Sequence, residues 1–232
     1  MRCADADPCL APGDVGIWLV DLLASPAVPL ACLDEAERRR LEAFVHDRER
    51  RRFAATRAAL RHLLARRLGS TPAAVELRIG AHGKPCLADE SSGLAFNVTH
   101  SDDVALIAIG RVGMIGIDLE RVRPIDDAVF EGIFDRGELA GLTALSPERR
   151  RSALLSGWTR KESVLKALGT GLIDDPSVVR AGLAHVAGVV DISSLSGVGT
   201  IYVGPVPMAP GWLASIAADR PMRIGGRWPL PR

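Results

Sequence analysis

From Ile117 to Glu120, apolar and acidic residues alternate one by one. Successive side chains of a β-strand point to opposite faces, so Asp118 and Glu120 would share one face while Ile117 and Leu119 point into the core. The pattern therefore predicts a strand that carries two carboxylates side by side.

A second pattern, with helical spacing, follows further along the chain. One helical face would carry four residues at i, i+3, i+7 and i+10: Leu155, Trp158, Glu162 and Leu165. Ser146-Pro147-Glu148 predicts the start of this helix. Serine is a common N-cap residue, proline suits the first turn, and an early acid interacts favourably with the positive end of the helix dipole. Lys166 lies one turn beyond Glu162 and Lys161 directly precedes it, so the same helix offers two ammonium groups.

The two patterns together carry a specific chemistry. Like charges on one strand face raise each other's pKa or recruit a cation, and Mg²⁺ is the natural candidate because it prefers hard oxygen ligands and phosphate. Glu162 on an apolar face also needs a cation, since an unpaired buried carboxylate is very costly. Each half alone fits a plainer interpretation, a solvated strand face and a surface ion-pair ladder. The combination favours a divided metal and phosphate site.

An arginine-rich segment precedes these motifs. Between Arg38 and Arg67 the sequence has eleven arginines against three acids, a local balance of +8 that leaves −7 for the remainder of a chain with net charge +1. Leucines at helical spacing predict an amphipathic helix from Arg48 to Leu68 that ends at Gly69. Its arginine face is either solvated or a landing surface for a polyanion. An aromatic content of 4% and the lack of common nucleic-acid motifs argue against nucleic acid.

Two turn-rich segments predict β-hairpins. Gly80 to Pro85 combines glycines, which allow close backbone approach, with a lone cation at Lys84. The β-rich runs Leu94 to Thr99 and Val104 to Ile109 are joined by His100-Ser101-Asp102-Asp103. A serine-hydrolase triad in this loop is disfavoured, because consecutive turn residues point in different directions. His100 is either an ordinary turn histidine or a hydrogen-bond donor that binds a phosphate group.

Composition places the chain among folded globular proteins. Its 232 residues, 47% hydrophobic and 25% charged, suffice for one large domain or two smaller ones. No apolar stretch is long enough to span a bilayer and the N-terminus lacks a signal-peptide core, so we expect a cytoplasmic protein without membrane contact. The four cysteines form no Cys-x-x-Cys pair, which favours free thiols.

Four motifs then occur in the order and spacing of a known enzyme family. They are Gly83-Lys84-Pro85, Phe96-Asn97-Val98-Thr99-His100-Ser101, Gly116-Ile117-Asp118-Leu119-Glu120, and Trp158-Thr159-Arg160-Lys161-Glu162-Ser163 through Lys166. From about Leu33 to Leu172 the chain resembles the 4′-phosphopantetheinyl transferases of the surfactin-synthetase-activating (Sfp) type. The resemblance implies an enzyme that requires Mg²⁺ and moves 4′-phosphopantetheine from coenzyme A to a serine of an apo acyl or peptidyl carrier protein. The products would be the holo carrier and 3′,5′-ADP.

The resemblance implies roles for the acids and lysines. By position, Asp118, Glu120 and Glu162 look like the metal ligands. Glu162, or a metal-bound water beside it, would take the serine proton. Lys161 and Lys166 would hold the pyrophosphate, and Lys166 would steady the leaving phosphate.

It also implies contacts to the rest of coenzyme A. Lys84 and Pro85 look like the loop that touches the adenine end. Three residues look like phosphate contacts: Arg57, Thr99 and His100. Glu138 falls where members of the family often carry a further acid.

The implied architecture is an α/β (α+β) fold of two similar α/β halves related by pseudo-twofold symmetry, with coenzyme A in the cleft between them. We place the division after residue 112, giving an N-terminal half (1–112) with the coenzyme A contacts and a C-terminal half (113–232) with the metal site and carrier docking. Residues 123–142 would form part of the docking surface or a core helix, through Ile125, Val129, Phe130, Ile133 and Phe134. We expect a monomer.

Two other functions fit the residues alone. A Mg²⁺-dependent nucleotide hydrolase that cleaves a pyrophosphate would use the same acids and lysines without a carrier. A non-enzymatic protein would use the arginine helix to bind nucleic acid or an acidic protein. Whether the natural carrier belongs to a fatty-acid, polyketide or peptide synthetase is open.

Overall fold

The computed structural model describes residues 10–23, 30–124, 130, 132–171, 175–196 and 199–229. Ten strands occur in these ranges: β1 Asp14–Asp21, β2 Leu77–Ile79, β3 Pro85–Leu87, β4 Ala95–Ser101, β5 Val104–Gly110, β6 Ile115–Arg121, β7 Gly188–Asp191, β8 Thr200–Pro205, β9 Trp212–Ala218 and β10 Arg223–Pro229. Five α-helices accompany them: α1 Glu35–Glu42, α2 Asp47–Leu68, α3 Arg136–Thr143, α4 Pro147–Leu168 and α5 Ser193–Ser196.

The strands form two four-stranded sheets and one separate hairpin. The first sheet has the order β10-β1-β5-β4, the second has the order β6-β9-β8-β7, and β2 pairs with β3. All described pairs are antiparallel except β1 with β10, which run parallel. Strand β10 therefore returns from the end of the chain to the first sheet and crosses the predicted division after residue 112, which stays a prediction.

The core is divided into layers by these sheets. Between the two sheets, Ile17 and Leu106 of the first pack with Ile117 and Ile216 of the second. The other face of the first sheet is covered by α2, and α4 packs against β8 and β9 of the second. Each sheet thus buries one face against the other sheet and one against a long helix, which confirms the predicted α/β fold class.

The predicted helices and strands are present, with one shorter turn. Helix α2 ends at Gly69 with φ +62° and α4 ends at Gly169 with φ +77°, the left-handed conformation in which glycine has no steric penalty. The predicted four-residue loop is shorter, because His100 and Ser101 belong to β4. Asp102 makes the tight turn with φ +48°, which aspartate tolerates better than most residues.

The two halves repeat one arrangement, as the family resemblance implied, although the sequence itself shows no clear internal repeat. Each begins a short helix with a capping box, Asp34 with Glu37 for α1 and Asp135 with Glu138 for α3. A helix of 22 residues follows in each, and α4 begins at residue 147 where α2 begins at residue 47. Strands β1 and β6 pair with β5 and β9 in matching register, so that positions 15–21 correspond to 115–121.

Most of the large apolar residues that the structure describes between 130 and 142 belong to the core, with Leu139 exposed. Phe130 and Phe134 are buried in a cluster with Leu142, Leu154 and Leu155. Of the residues considered for carrier docking, Ile125 and Val129 lie outside the described residues, as does Leu172 at the end of the family resemblance. Within the described part of the chain, we find no helix that is long and apolar enough to span a membrane.

Candidate active site at the seam of β4, β6 and α4

Strand β6 delivers the two predicted acids to one face. Asp118 is 4% exposed and Glu120 is half-buried, and both face α4, whereas the alternate residues Ile117 and Leu119 are buried in the layer between the sheets. The predicted alternation is confirmed. The strand can approach the helix closely because position 116 is glycine: a Cβ there would lie 2.0 Å from the backbone oxygen of Ser163.

Strand β4 supports β6 with polar side chains at every second position. Asn97 Oδ1 accepts a hydrogen bond from the backbone N–H of Ile117 at 2.9 Å, and Thr99 Oγ1 donates to Asp118 Oδ1 at 3.2 Å. Ser101 Oγ donates to Glu120 Oε2 at 3.2 Å. The sequence reasoning assigned a role only to Thr99. The period of two along Asn97, Thr99 and Ser101 would have revealed the other two.

Helix α4 supplies the third acid and a lysine. The Nζ atom of Lys166 lies 2.6 Å from Asp118 Oδ1, 3.4 Å from Thr99 Oγ1 and 3.7 Å from Glu162 Oε2. Trp158, one turn before Glu162, donates its indole N–H to Glu120 Oε1 at 3.3 Å. The structure therefore brings Asp118, Glu120, Glu162, Lys166 and Thr99 into one cluster.

Burial and repulsion by neighbouring acids raise the pKa values of the two glutamates. The pKa of Glu162 is raised mainly by desolvation, with Asp118 and Glu120 adding to the shift and Lys166 opposing it. The pKa of Glu120 is also raised mainly by desolvation and then by Asp118. Three acids in this setting favour a second positive charge near Lys166.

Two carboxylate oxygens in the cluster, Asp118 Oδ2 and Glu162 Oε1, are buried without a hydrogen-bond partner. Oxygens of this kind suit a hard divalent cation such as Mg²⁺. As they stand, however, no three acid, histidine or cysteine side chains among the described residues are arranged to hold a metal ion. The ammonium of Lys166 lies between two of the acids instead.

The remaining predicted coenzyme A contacts lie around this cluster. Lys84 donates to the backbone oxygens of Ile115 at 2.8 Å and Ala167 at 3.1 Å, and burial lowers its pKa to about 8. Its ammonium thus ties the β2–β3 hairpin to β6 and α4. Lys84 also lines a cavity of about 450 Å³ beside the start of β6, and Pro85 begins β3 next to it.

His100 and Arg57 lie on the side of α2. The His100 side chain is exposed, near the charged groups of Glu49 and Arg52 on α2 and of Lys166 on α4. The guanidinium of Arg57 stacks over Phe53, and burial lowers its pKa. Arg57 makes no contact with the acid cluster among the described residues.

The structure contradicts the role that the resemblance gave to Lys161. Its side chain is 0% exposed, and its Nζ atom lies 2.8 Å from Glu138 Oε2. The same ammonium donates to the backbone oxygens of Pro176 and Val179. Consecutive residues of a helix project about 100° apart, so Lys161 points away from the face that carries Glu162 and is not available to a pyrophosphate.

Comparison with known proteins agrees with this geometry. The sequence profile of the 4′-phosphopantetheinyl transferase superfamily matches residues 114–188. The profile described as 4′-phosphopantetheinyl transferase, N-terminal, matches residues 25–111. The region matched by the N-terminal profile contains β4, and the region matched by the superfamily profile contains β6 and α4. Both matched regions therefore supply residues to the acid cluster.

Individual relatives match from 47% to 83% of the chain. The 4′-phosphopantetheinyl transferase HetI of Nostoc sp. is 38% identical over 171 residues, 70% of this chain and 72% of that protein. The 4′-phosphopantetheinyl transferase Sfp of Bacillus subtilis is 24% identical over 195 residues, 83% of this chain and 84% of that protein. The 4′-phosphopantetheinyl transferase AcpT of Salmonella typhi is 36% identical over 111 residues, 47% of this chain and 56% of that protein. The chain therefore belongs to the 4′-phosphopantetheinyl transferase family.

Proposed function

We propose that the cluster at the seam of β4, β6 and α4 performs the reaction of this family, in which 4′-phosphopantetheine passes from coenzyme A to a serine of an apo carrier protein. The convergence of Asp118, Glu120, Glu162 and Lys166 from two distant motifs supports this assignment. The serine oxygen attacks the β-phosphorus, the bond to the bridging oxygen breaks, and 3′,5′-ADP leaves. Such a reaction needs mainly positioning and charge stabilisation.

The donor set fits Mg²⁺, and we assign Asp118, Glu120 and Glu162 to hold it. The oxygens without partners, Asp118 Oδ2 and Glu162 Oε1, support this choice. When bound, the ion would neutralise charge on the diphosphate oxygens. Because Lys166 lies 2.6 Å from Asp118 Oδ1, we expect its ammonium to turn from the acid to the leaving phosphate when the ion and coenzyme A bind.

Glu162 is the proposed proton acceptor. Burial raises its pKa in the absence of the ion, and a bound cation would lower it again, so Glu162 would be ionised and able to accept a proton in the loaded site. Of its two oxygens, Oε2 faces Lys166 and Oε1 has no partner, so one oxygen can face the ion while the other receives the serine proton. Thr99 keeps Asp118 oriented through its hydroxyl group.

Coenzyme A would extend from this cluster toward the β2–β3 hairpin. The cavity of about 450 Å³ lined by Lys84 and Ile115 begins on the same strand that carries Asp118, which supports an adenine position near Lys84 and Pro85. Thr99, His100 and Arg57 stay proposed phosphate contacts.

Finer assignments are part of the same proposal. The similarity to the Sfp protein covers 83% of this chain and 84% of that protein, which supports assignment to the Sfp type. We also propose that the chain acts as a cytoplasmic monomer with acyl or peptidyl carrier proteins as partners, without nucleic acid or membrane. The division after residue 112 falls between the two profile matches.

The test is incubation with coenzyme A, Mg²⁺ and a panel of apo carrier proteins. The intact mass of at least one carrier should rise by one phosphopantetheine group, in step with release of 3′,5′-ADP. Cleavage of coenzyme A without carrier modification would instead support a nucleotide hydrolase. Binding of polyanions without either product would support the non-enzymatic alternative.

A further inference from the structure

Lys161 has a counterpart in the N-terminal half. Arg61 occupies in α2 the place that Lys161 occupies in α4, at residue 61 against 161, and both side chains are 0% exposed. Arg61 pairs with Glu37 at 2.6 Å, as Lys161 pairs with Glu138 at 2.8 Å. Both acids belong to the capping box of the preceding short helix.

The backbone acceptors of the two cations also correspond. Arg61 donates to the oxygens of Pro72 and Val75, and Lys161 donates to those of Pro176 and Val179. In both halves these oxygens flank a short 3₁₀ turn that follows the long helix. The fold therefore uses a buried cation twice to fasten the long helix to the short helix before it and the turn behind it.

We infer that Lys161 is a positioning residue for the transfer reaction, acting through the orientation of α4. It directly precedes Glu162, and Lys166 follows on the next turn, so a rotation of α4 about its axis would move both groups. The contacts of Lys161 with Glu138, Pro176 and Val179 fix that rotation from a different side of the helix than the one that carries Glu162. The inference rests on the proposed function of Glu162 and Lys166.

Comparison with Arg61 separates a role of Lys161 in positioning the site from a general contribution to stability. Arg61 fastens α2 in the same way, yet the strand that faces α2 carries Trp18 and Val20 at the positions where the strand that faces α4 carries two acids. Loss of either cation should weaken the fold, but only loss of Lys161 should lower kcat and Mn²⁺ affinity. Loss of Arg61, one turn from the proposed phosphate contact Arg57, should at most change the KM for coenzyme A. Arg61 thus provides a matched control within one chain.

The experiment compares Lys161→Met combined with Glu138→Gln against Arg61→Met. The substitution Glu138→Gln keeps the capping box and avoids an unpaired buried charge, and Glu37 keeps Arg57 as a neighbour when Arg61 is removed. All proteins are assayed at a temperature where circular dichroism shows them folded. The readouts are kcat, the KM for coenzyme A, the melting temperature, and the Mn²⁺ affinity measured by calorimetry.

We expect both variants to melt earlier than the wild type. Only the Lys161 variant should also lose roughly 10-fold in kcat and in Mn²⁺ affinity, with KM for coenzyme A little changed. Lys161→Arg should recover most of kcat, because Arg61 shows that a guanidinium can serve equivalent acceptors.

Two results would overturn the inference: a wild-type kcat and Mn²⁺ affinity in the Lys161 variant, or an equal loss of both in the Arg61 variant. If the wild-type protein modifies no carrier, the proposed function fails and the Mn²⁺ titration alone decides on Lys161. A wild-type protein that neither modifies a carrier nor binds Mn²⁺ would refute both.

Discussion

The two halves of the molecule share a skeleton but differ where the first strand faces the long helix. On β1 the facing positions are Trp18 and Val20, which are buried against α2. On β6 the corresponding positions, 118 and 120, are acids that face α4. The N-terminal half thus fills this seam with apolar side chains, and the C-terminal half fills it with the candidate active site.

The glycines at positions 16 and 116 show the same contrast. A Cβ on Gly16 would meet the ring of Trp18 at 2.0 Å, whereas one on Gly116 would meet the backbone of α4. In the first half a large aromatic ring separates strand and helix. In the second half the strand backbone touches the helix, so α4 is held at a distance set by main-chain atoms. Such contact gives Glu162 and Lys166 a rigid platform.

The first prediction tests whether the residues between β6 and α4 serve catalysis rather than stability. Asp118→Ala should lower kcat by about 100-fold or more, because it removes a proposed metal ligand and the partner of Lys166. Its fold should persist. Trp18→Ala at the corresponding position should instead cost about 3–5 kcal/mol of unfolding free energy. Transfer assays and denaturant unfolding of both variants decide; near-normal turnover in Asp118→Ala would contradict the assignment.

The second prediction concerns the two glycines. Gly116→Ala should cost about 3 kcal/mol and abolish most activity, because α4 can yield only by moving as a whole. Gly16→Ala requires only the Trp18 ring to move, so it should cost less stability and keep the kcat of the folded protein. Urea unfolding and single-turnover rates measure both effects. Equal losses of activity in the two variants would show that the strand–helix distance is not what the site needs.

The third prediction uses the raised pKa of Glu162. Between its unfolded and folded pKa values the folded protein binds more protons than the unfolded one, so this group lowers stability as pH rises through that window. In EDTA at pH 8, Glu162→Gln should therefore melt a few degrees above the wild type, and the gain should fade toward about pH 4.5. Glu42→Gln, at an exposed position, serves as control. A lower melting temperature at pH 8 would contradict the repulsive cluster.

The fourth and smallest effect is at Lys84. Its folded pKa of about 8 lies below the ordinary 10.5, so the folded protein binds fewer protons between these values and stability from this group rises with pH. The melting temperature of the wild type minus that of Lys84→Met should thus increase from about pH 7.5 to about pH 9.5. A constant difference across this range would show that the carbonyls of Ile115 and Ala167 keep the ammonium charged.

Local patterns predicted much of the fold and part of the site. The alternation around Asp118 and the helical spacing around Glu162 predicted β6, α4 and their acids, because both periods follow directly from backbone geometry. Asn97 and Ser101 of β4 were missed, although together with the predicted Thr99 they occupy every second position and so share one face of the strand. The role predicted for Lys161 was wrong because a buried cation and an exposed one look identical in a charged run such as Arg160-Lys161-Glu162. Only its distant partner, Glu138, distinguishes them.

The parallel pairing of β10 with β1 has a consequence for how the two halves can be separated. Strand β10 covers the outer edge of β1 over Asp14 to Leu19, and an uncovered edge strand offers unpaired backbone groups to other chains. A fragment that stopped before Arg223 would expose that edge and invite aggregation. Because the last strand completes the first sheet, neither half can be released as an independent protein without a new way to protect that edge.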